Sequence, residues 1–331
     1  MSRPIRLALT LGDVGGIGPE ICLKAAAAAP DSIYCTFIGA ESVIKQEARR
    51  LKMRMPARWK PGTSRQARLS FIDPLPDKRF EAHPGKILSS ASRAAVDWID
   101  FAVEGCLAGD FDGMVTAPIC KEGLLKAGMT MPGHTEYIAE LCGVTEFGMM
   151  LMGGPLRVFL VTRHLPLSAV EKNLNEASVS LACRLTDQAL DWLKASNRKI
   201  AVCGLNPHAG DGGAIGDAEV TWLGPLLNRL AKSLPVEGPL PADTVFYYAC
   251  KKDYGAVIAM YHDQGLAPLK MLAFDTGVNL TLGLPIIRTS PDHGTAFDIA
   301  GHGVANPRSM LEAMKTAARL ARRSNPWAKA K

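Results

Sequence analysis

Apolar and polar positions run along the chain in blocks that read alternately as strand, turn and helix. Ile5 to Leu11 predicts a buried strand. The glycine turn Gly12 to Gly18 follows, then a helix opened by Pro19 and Glu20 and stopped at Pro30. Proline suits a first helical turn because the N–H it lacks has no intrahelical partner there. Tyr34 to Gly39 predicts a second strand and Glu41 to Lys52 a second helix. Residues 53–88 are rich in Pro and Arg and irregular, with a strand expected only at Leu69 to Ile72. Ser89 to Leu107 places Ala95, Trp98, Ile99, Ala102 and Val103 on one face at helical spacing.

Further on, the pattern predicts a strand at Gly113 to Thr116, a helix at Lys121 to Ala127, the turn Pro132-Gly133-His134-Thr135 and a helix to Cys142. Phe147 to Met152 and Arg157 to Thr162 form an expected strand pair around Gly153-Gly154-Pro155. Asn175 to Ala195 is expected to be the longest helix, and Asp217 to Lys232 another. Strands are expected at Lys199 to Leu205, Ala256 to Met260, Val278 to Leu282 and Ile286 to Thr289, with a last helix at Pro307 to Arg323. Strands alternating with helices imply an α/β fold with mostly parallel sheets.

Residues 261–306 break the pattern. This stretch holds three of the seven histidines, one lysine, one arginine, six glycines and three prolines in an apolar setting. Polar groups set between glycine turns suggest loops at the ends of buried strands, where sites are commonly built.

Composition narrows the class. The 331 residues are 47% apolar and 21% charged, as in ordinary globular proteins with room for two domains. The net charge of +6 is mild and its Lys and Arg are dispersed, which argues against nucleic acid as partner and suits a small anion. No C-x-x-C pair occurs among the eight cysteines, and most lie in apolar segments, as reduced thiols of a cytoplasmic protein do. The longest charge-free run, Thr276 to Ile287, has 12 residues, short of the about 20 a membrane span needs, so no membrane partner is expected.

Four histidines occupy comparable places. His164, His208 and His262 each follow a short apolar run, and His134 follows a Pro-Gly turn. Parallel strands end on one edge, so these rings either converge as metal ligands with an open position or serve singly as structural hydrogen-bonders. Lys270, Asn279 and Arg288 recur at nine-residue intervals. They read either as exposed loop groups or as a clamp for phosphate or carboxylate. Neither Gly12 to Gly18 nor Gly210 to Gly216 matches a dinucleotide fingerprint or a Walker loop. Asp298, in the glycine-rich stretch His293 to Asn306, suits the 2′-hydroxyl of an NAD ribose and disfavours the 2′-phosphate of NADP.

These segments together resemble the 4-hydroxythreonine-4-phosphate dehydrogenase family of vitamin B6 biosynthesis. The matching blocks include L-T-L-G-D-V-G-G-I-G-P-E (9–20), V-T-A-P-I-C-K (115–121), G-H-T-E-Y (133–137), T-R-H-L-P-L (162–167), L-N-P-H-A-G-D-G-G (205–213), P-A-D-T (241–244), Y-H-D-Q-G (261–265) and G-V-N-L-T-L-G-L-P-I-I-R-T-S-P-D-H-G-T-A (277–296). The block from His293 to Pro307 is also similar to the adenosine loop of isocitrate and isopropylmalate dehydrogenases.

The resemblance implies two α/β/α domains with the active site in the cleft between them. One would comprise residues 1–130 plus about 284–331 and carry the NAD loop; the other, about 131–283, would carry the metal ligands and a homodimer interface. It implies a divalent metal (Zn, Mg or Co) on His164, His208 and His262, with His262 reaching across the dimer. Substrate contacts would come from His134, Thr135, Lys270, Asn279 and Arg288. His293, Gly294, Thr295, Asp298 and Asn306 would hold NAD. The implied reaction is oxidation of the 3-hydroxyl of 4-phosphohydroxy-L-threonine and decarboxylation to 3-amino-2-oxopropyl phosphate. Lys270, Asp243 and Asp263 are the candidate bases.

Two departures stand out. Val14 and Gly15 replace the family's usual Pro-Ala, which is expected to loosen the loop, and Cys120 replaces His or Asn. They leave open a relative acting on D-threonate or D-erythronate 4-phosphate or on an aromatic cis-dihydrodiol carboxylate. A non-enzymatic sugar-phosphate sensor would keep the clamp without needing the histidines and the cofactor loop together.

Overall fold

The computed structural model describes residues 3–63, 67–78, 80, 82–130 and 133–328; Pro132 of the expected turn lies outside them. In chain order the elements begin with β1 (Ile5–Thr10), α1 (Gly18–Ala28), β2 (Ile33–Ile38), α2 (Glu41–Arg50), β3 (Ala57–Arg58) and β4 (Leu69–Ile72). Next come α3 (Ser89–Ala108), β5 (Gly113–Thr116), α4 (Lys121–Lys126), α5 (His134–Leu141), β6 (Gly148–Gly153) and β7 (Leu156–Leu160). The chain continues through α6 (Leu167–Asn173), α7 (Glu176–Leu193) and β8 (Ile200–Cys203). A tight turn at Pro207–Gly213 and a π-helical turn at Glu219–Leu223 lead into α8 (Gly224–Leu230), β9 (Val236–Leu240) and α9 (Ala242–Cys250). The last elements are β10 (Ala256–Ala259), α10 (His262–Ala273), β11 (Val278–Leu282), β12 (Arg288–Pro291) and α11 (Arg308–Leu320).

The chain divides into two compact units, 1–145 with 284–331, and 146–283. Each unit is an α/β assembly with a mostly parallel sheet, the class the alternation predicts. In the first unit the strands run in the order β3-β4-β2-β1-β5-β12, every described pair parallel. Leu7 and Leu9 of β1 are fully buried; truncating such a side chain to Ala costs roughly 2–5 kcal/mol. Strand order reverses around β1, with β2 on one side and β5 on the other. The loops after β1 and β5 meet there, Asp13 N donating to the Pro118 carbonyl at 2.9 Å. Such a reversal is where open α/β sheets place ligands.

The second unit has the order β11-β6-β7-β10-β8-β9. β6 pairs antiparallel with β7 and β11, while β7, β10, β8 and β9 are parallel neighbours. Its core joins Val158 and Leu160 of β7, Ala201 and Cys203 of β8, Val257 and Ala259 of β10 and Leu266 and Leu269 of α10.

Several local readings change. The longest described helix is α3, with 20 residues against 18 in α7. β3, α6, β9 and α9 form where no element was expected. Part of the 261–306 stretch is not loop: His262 to Ala273 is helical despite Pro268, and Lys270 sits in its last turn. Glycine and proline masked a helix whose buried positions Gly265, Leu266, Leu269 and Ala273 keep helical spacing.

Candidate active site

In the first unit the site is built on one buried cation. Arg288 opens β12 and is 1% exposed. Its Nη2 donates to Thr116 Oγ1 at 2.8 Å and its Nη1 to Thr135 Oγ1 at 3.3 Å. Thr116 ends β5, the parallel neighbour of β12, and Thr135 lies in the first turn of α5. Burial lowers the Arg288 pKa to about 10, opposed by the charge of Glu136. Next to Thr135, His134 keeps its Nε2 out of solvent with no hydrogen-bond partner among the described residues. Burial, and then the Arg288 charge, hold this imidazole well below its usual pKa. A neutral ring with an open polar atom beside a buried guanidinium is a receptor for an anion with hydroxyl or amine groups.

A second cluster in the same unit surrounds the glycine loop after β1. Ile17 N donates to the Thr295 carbonyl at 2.9 Å. A Cβ at Gly16 would lie 2.6 Å from that oxygen, so only glycine permits the approach. Glu20, 1% exposed, accepts from Ala305 N at 2.8 Å and pairs with Lys24, whose ammonium also bonds the Gly303 and Ala305 carbonyls. The 295–305 segment is thus pinned at both ends. Within the loop, His293 Nδ1 faces the Gly294 carbonyl, while its Nε2 is buried and without a partner among the described residues. Gly294, Asp298 and Asn306 are exposed, and Asn306 Oδ1 accepts from Arg308 N at the start of α11. A held loop with an unsatisfied buried nitrogen fits a polar cofactor.

The Val14-Gly15 departure does not loosen this loop. Residues 11–20 are all buried, Gly85 N donates to the Gly15 carbonyl, and a Cβ at Gly15 would lie 2.1 Å from the Lys86 carbonyl. Glycine here lets the 85–86 backbone close over the loop. Cys120 serves as the N-cap of α4, its Sγ accepting from Gly123 N at 3.4 Å.

In the second unit the three strand-end histidines follow β7, β8 and β10, with β10 between the other two. The rings of His164 and His262 lie 5.7 Å apart between centroids. They line a cavity of about 310 Å³ with Arg163, Leu167, Tyr261 and Asp263. His262 Nδ1 and Asp263 Oδ1 are 2.6 Å apart. A carboxylate on Nδ1 leaves Nε2 as the ligating nitrogen, the usual orientation for a metal-bound imidazole. His208 is exposed on the turn after β8. Among the described residues no group of three His, Cys, Asp or Glu forms a metal site within one chain. The donor types fit a divalent metal.

The remaining predicted residues are dispersed. Lys270 and Asn279 are half-buried in the second unit, on α10 and β11, and Arg288 belongs to the first. Asn279 Oδ1 is buried without a partner among the described residues. Asp243 is exposed in the first turn of α9, which packs beside the 207–213 turn. Sequence reasoning missed Thr116 and Glu20. Both lie in matching blocks, and a buried carboxylate just inside a glycine turn was the available signal.

A buried guanidinium at the start of one strand and paired imidazoles after two others are polar groups of the kind α/β enzymes set at their sheet edges. The chain belongs to the pyridoxal phosphate biosynthetic protein PdxA family, whose model matches residues 31–317, and it is an oxidoreductase of that family. It is 42% identical to the 4-hydroxythreonine-4-phosphate dehydrogenase of Ruegeria sp. (strain TM1040), covering 98% of this chain and 99% of the relative. The crystal structure of 4-hydroxythreonine-4-phosphate dehydrogenase from Klebsiella pneumoniae superposes with a TM-score of 0.83 at 36% identity, over 98% and 99% of the two chains. A terephthalate 1,2-cis-dihydrodiol dehydrogenase from Burkholderia xenovorans LB400 matches at a TM-score of 0.67 and 29% identity, over 96% and 98%.

Proposed function

We propose that the protein oxidises the 3-hydroxyl of 4-phosphohydroxy-L-threonine with NAD and a divalent metal, and that the product loses CO2 to give 3-amino-2-oxopropyl phosphate. The observation that carries this reading is the buried Arg288 beside the unsatisfied Nε2 of His134. The metal supplies a Lewis acid and NAD the hydride acceptor.

The chain's own residues have distinct parts. Arg288, steadied by Thr116 and Thr135, holds an anionic group of the substrate where water is excluded. His134, kept neutral by burial, offers Nε2 to a substrate hydroxyl or amine. His164, His208 and His262 would hold the metal, with His262 reaching across a homodimer, and Asp263 sets the ring of His262 through Nδ1. That bond makes Asp263 an orienting group. Lys270 is then the better candidate base, eight residues after His262 on the same helix, a little over two turns at about 3.6 residues per turn. Asp243 stays a candidate, on the helix that packs beside the 207–213 turn, and Asn279 offers its buried Oδ1 to substrate. His293, Gly294, Thr295, Asp298 and Asn306 would hold NAD, and a carboxylate at Asp298 suits ribose hydroxyls.

A homodimer is supported by large apolar side chains on the surface of the second unit, among them Met271, Phe274 and Tyr247 at 82%, 71% and 57% exposure. A cytoplasmic location is supported by eight free cysteines. No described helix is long and apolar enough to cross a membrane.

Gly15, Cys120 and the likeness to a dihydrodiol dehydrogenase favour one rival, a different acid at the same site. NAD reduction with cobalt present separates them when 4-phosphohydroxy-L-threonine, D-threonate 4-phosphate and a cis-dihydrodiol carboxylate are assayed in parallel. The highest kcat/KM is expected with the first. Turnover confined to either other acid would reject the proposed substrate, and a lack of NAD reduction with all three would reject the reaction.

A further inference from the structure

His208 sits on unusual backbone. In the turn after β8, His208, Ala209, Gly210, Asp211 and Gly212 have φ of 54°, 52°, 82°, 44° and 65°. Three of these five are not glycine, and L residues enter the left-handed region only where their surroundings impose it.

Two side chains grip the backbone just before this turn. Glu219 is 4% exposed at the start of the π-helical turn. Its Oε1 accepts from Leu205 N at 2.8 Å and from Asn206 N at 2.7 Å, and its Oε2 accepts from Asn206 Nδ2 at 3.0 Å. The carboxylate lies in space that glycines leave open. A Cβ on Gly204 would lie 3.1 Å from Oε1, and one on Gly210 would lie 2.7 Å from Oε2. From the other direction Gln264 Nε2 donates to the Gly204 carbonyl at 2.8 Å, and Gln264 Oε1 accepts from Met260 N at 2.7 Å. Three consecutive backbone groups, the carbonyl of 204 and the N–H of 205 and 206, are therefore gripped just before His208. Gln264 also stands two residues after His262, at the start of α10, so the same amide ties the end of β10 to the end of β8.

We propose that Glu219 and Gln264 are positioning residues that brace the 204–206 backbone and thereby aim His208 at its metal. This rests on the reading of His208 as a metal ligand. A carboxylate suits the position because it is acceptor-only, and three donors converge on it. An amide at 219 would turn a donor toward one of them. Neither side chain touches the metal. Their effect is on the orientation of a ligand, as outer partners of metal-binding imidazoles commonly act.

The test is cobalt(II) titration of the full-length protein, read from the visible absorption of the bound ion, with melting temperature recorded for every variant. His208→Ala is the reference and is expected to abolish tight cobalt binding. Glu219→Gln and Gln264→Leu are expected to weaken cobalt binding about 10- to 100-fold while the proteins remain folded at the titration temperature. Asn206→Ala, which removes one of the three donors to Glu219, is expected to weaken it less and stands in if either variant fails to fold. If His208→Ala abolishes binding while the brace variants bind cobalt like wild type, the brace is overturned and the metal reading stands, even if their melting temperatures fall. If His208→Ala itself binds cobalt like wild type, the metal reading fails and the brace fails with it.

Discussion

Arg288 and His262 show two ways of holding a functional side chain. Arg288 is 1% exposed, fixed between the hydroxyls of Thr116 and Thr135, with its charge out of water. His262 lines an open cavity, next to the exposed His164 and bonded to a carboxylate that is itself 88% exposed. The first arrangement is complete within one unit of one chain. The second has two imidazoles side by side and lacks a third donor within the chain, among the described residues. A buried receptor carries the cost of desolvation continuously and is specific as a result. If the imidazole rim holds a metal as proposed, it would stay solvated until the ion arrives, and its occupancy would respond to metal concentration and chelators.

The largest effect should fall on the open region. His262→Ala is expected to reduce turnover to the metal-free background, on the order of 10³-fold or more. Chelator should do the same to the wild type, and added cobalt should restore the wild type alone. Full activity of His262→Ala, or of the chelated wild type before cobalt is added, would remove the histidine rim from the mechanism. Arg288→Met should lower kcat/KM by a smaller factor, about 10²- to 10³-fold, corresponding to roughly 3–4 kcal/mol for a buried charged contact. Arg288→Lys should recover only part of it, because an ammonium cannot span both threonines. Steady-state kinetics with and without added metal keeps the two regions apart: the arginine variants should bind metal normally.

The smallest effect concerns pH. His134 has its folded pKa lowered below 6.5 by burial and by Arg288. Between the folded and unfolded pKa values the unfolded chain binds more protons, so stability rises with pH. The contribution is complete above pH 6.5 and is lost as pH falls below that value toward the folded pKa. Melting temperatures of wild type and His134→Gln from pH 5 to 8 should diverge at neutral pH and converge toward the acid end. A constant difference across that range would show that His134 is not buried neutral.

Much of this molecule is legible without coordinates. The alternation of apolar strands with helical stretches determined the α/β class, because burial on both faces of a parallel sheet requires continuous apolar strands joined by helices. Glycine turns marked the loops after β1 and β8, although in the second His208, Ala209 and Asp211 share the left-handed backbone that glycine tolerates best. The residue types at 134, 164, 208, 262 and 288 named the chemistry available.

Tertiary structure decided which of those residues meet. His164 and His262 are neighbours only because β7 and β10 pair in parallel register, Val158 with Val257 and Leu160 with Ala259. Thr116, Thr135 and Arg288 come together from β5, α5 and β12, a pairing that no local periodicity encodes. Long-range strand order also set the three histidines after adjacent strands, yet among the described residues His208 joins no single-chain metal group. Local sequence governs local backbone preference. Which strand lies beside which is settled by the burial of whole elements, and the distances between the site residues follow from that choice.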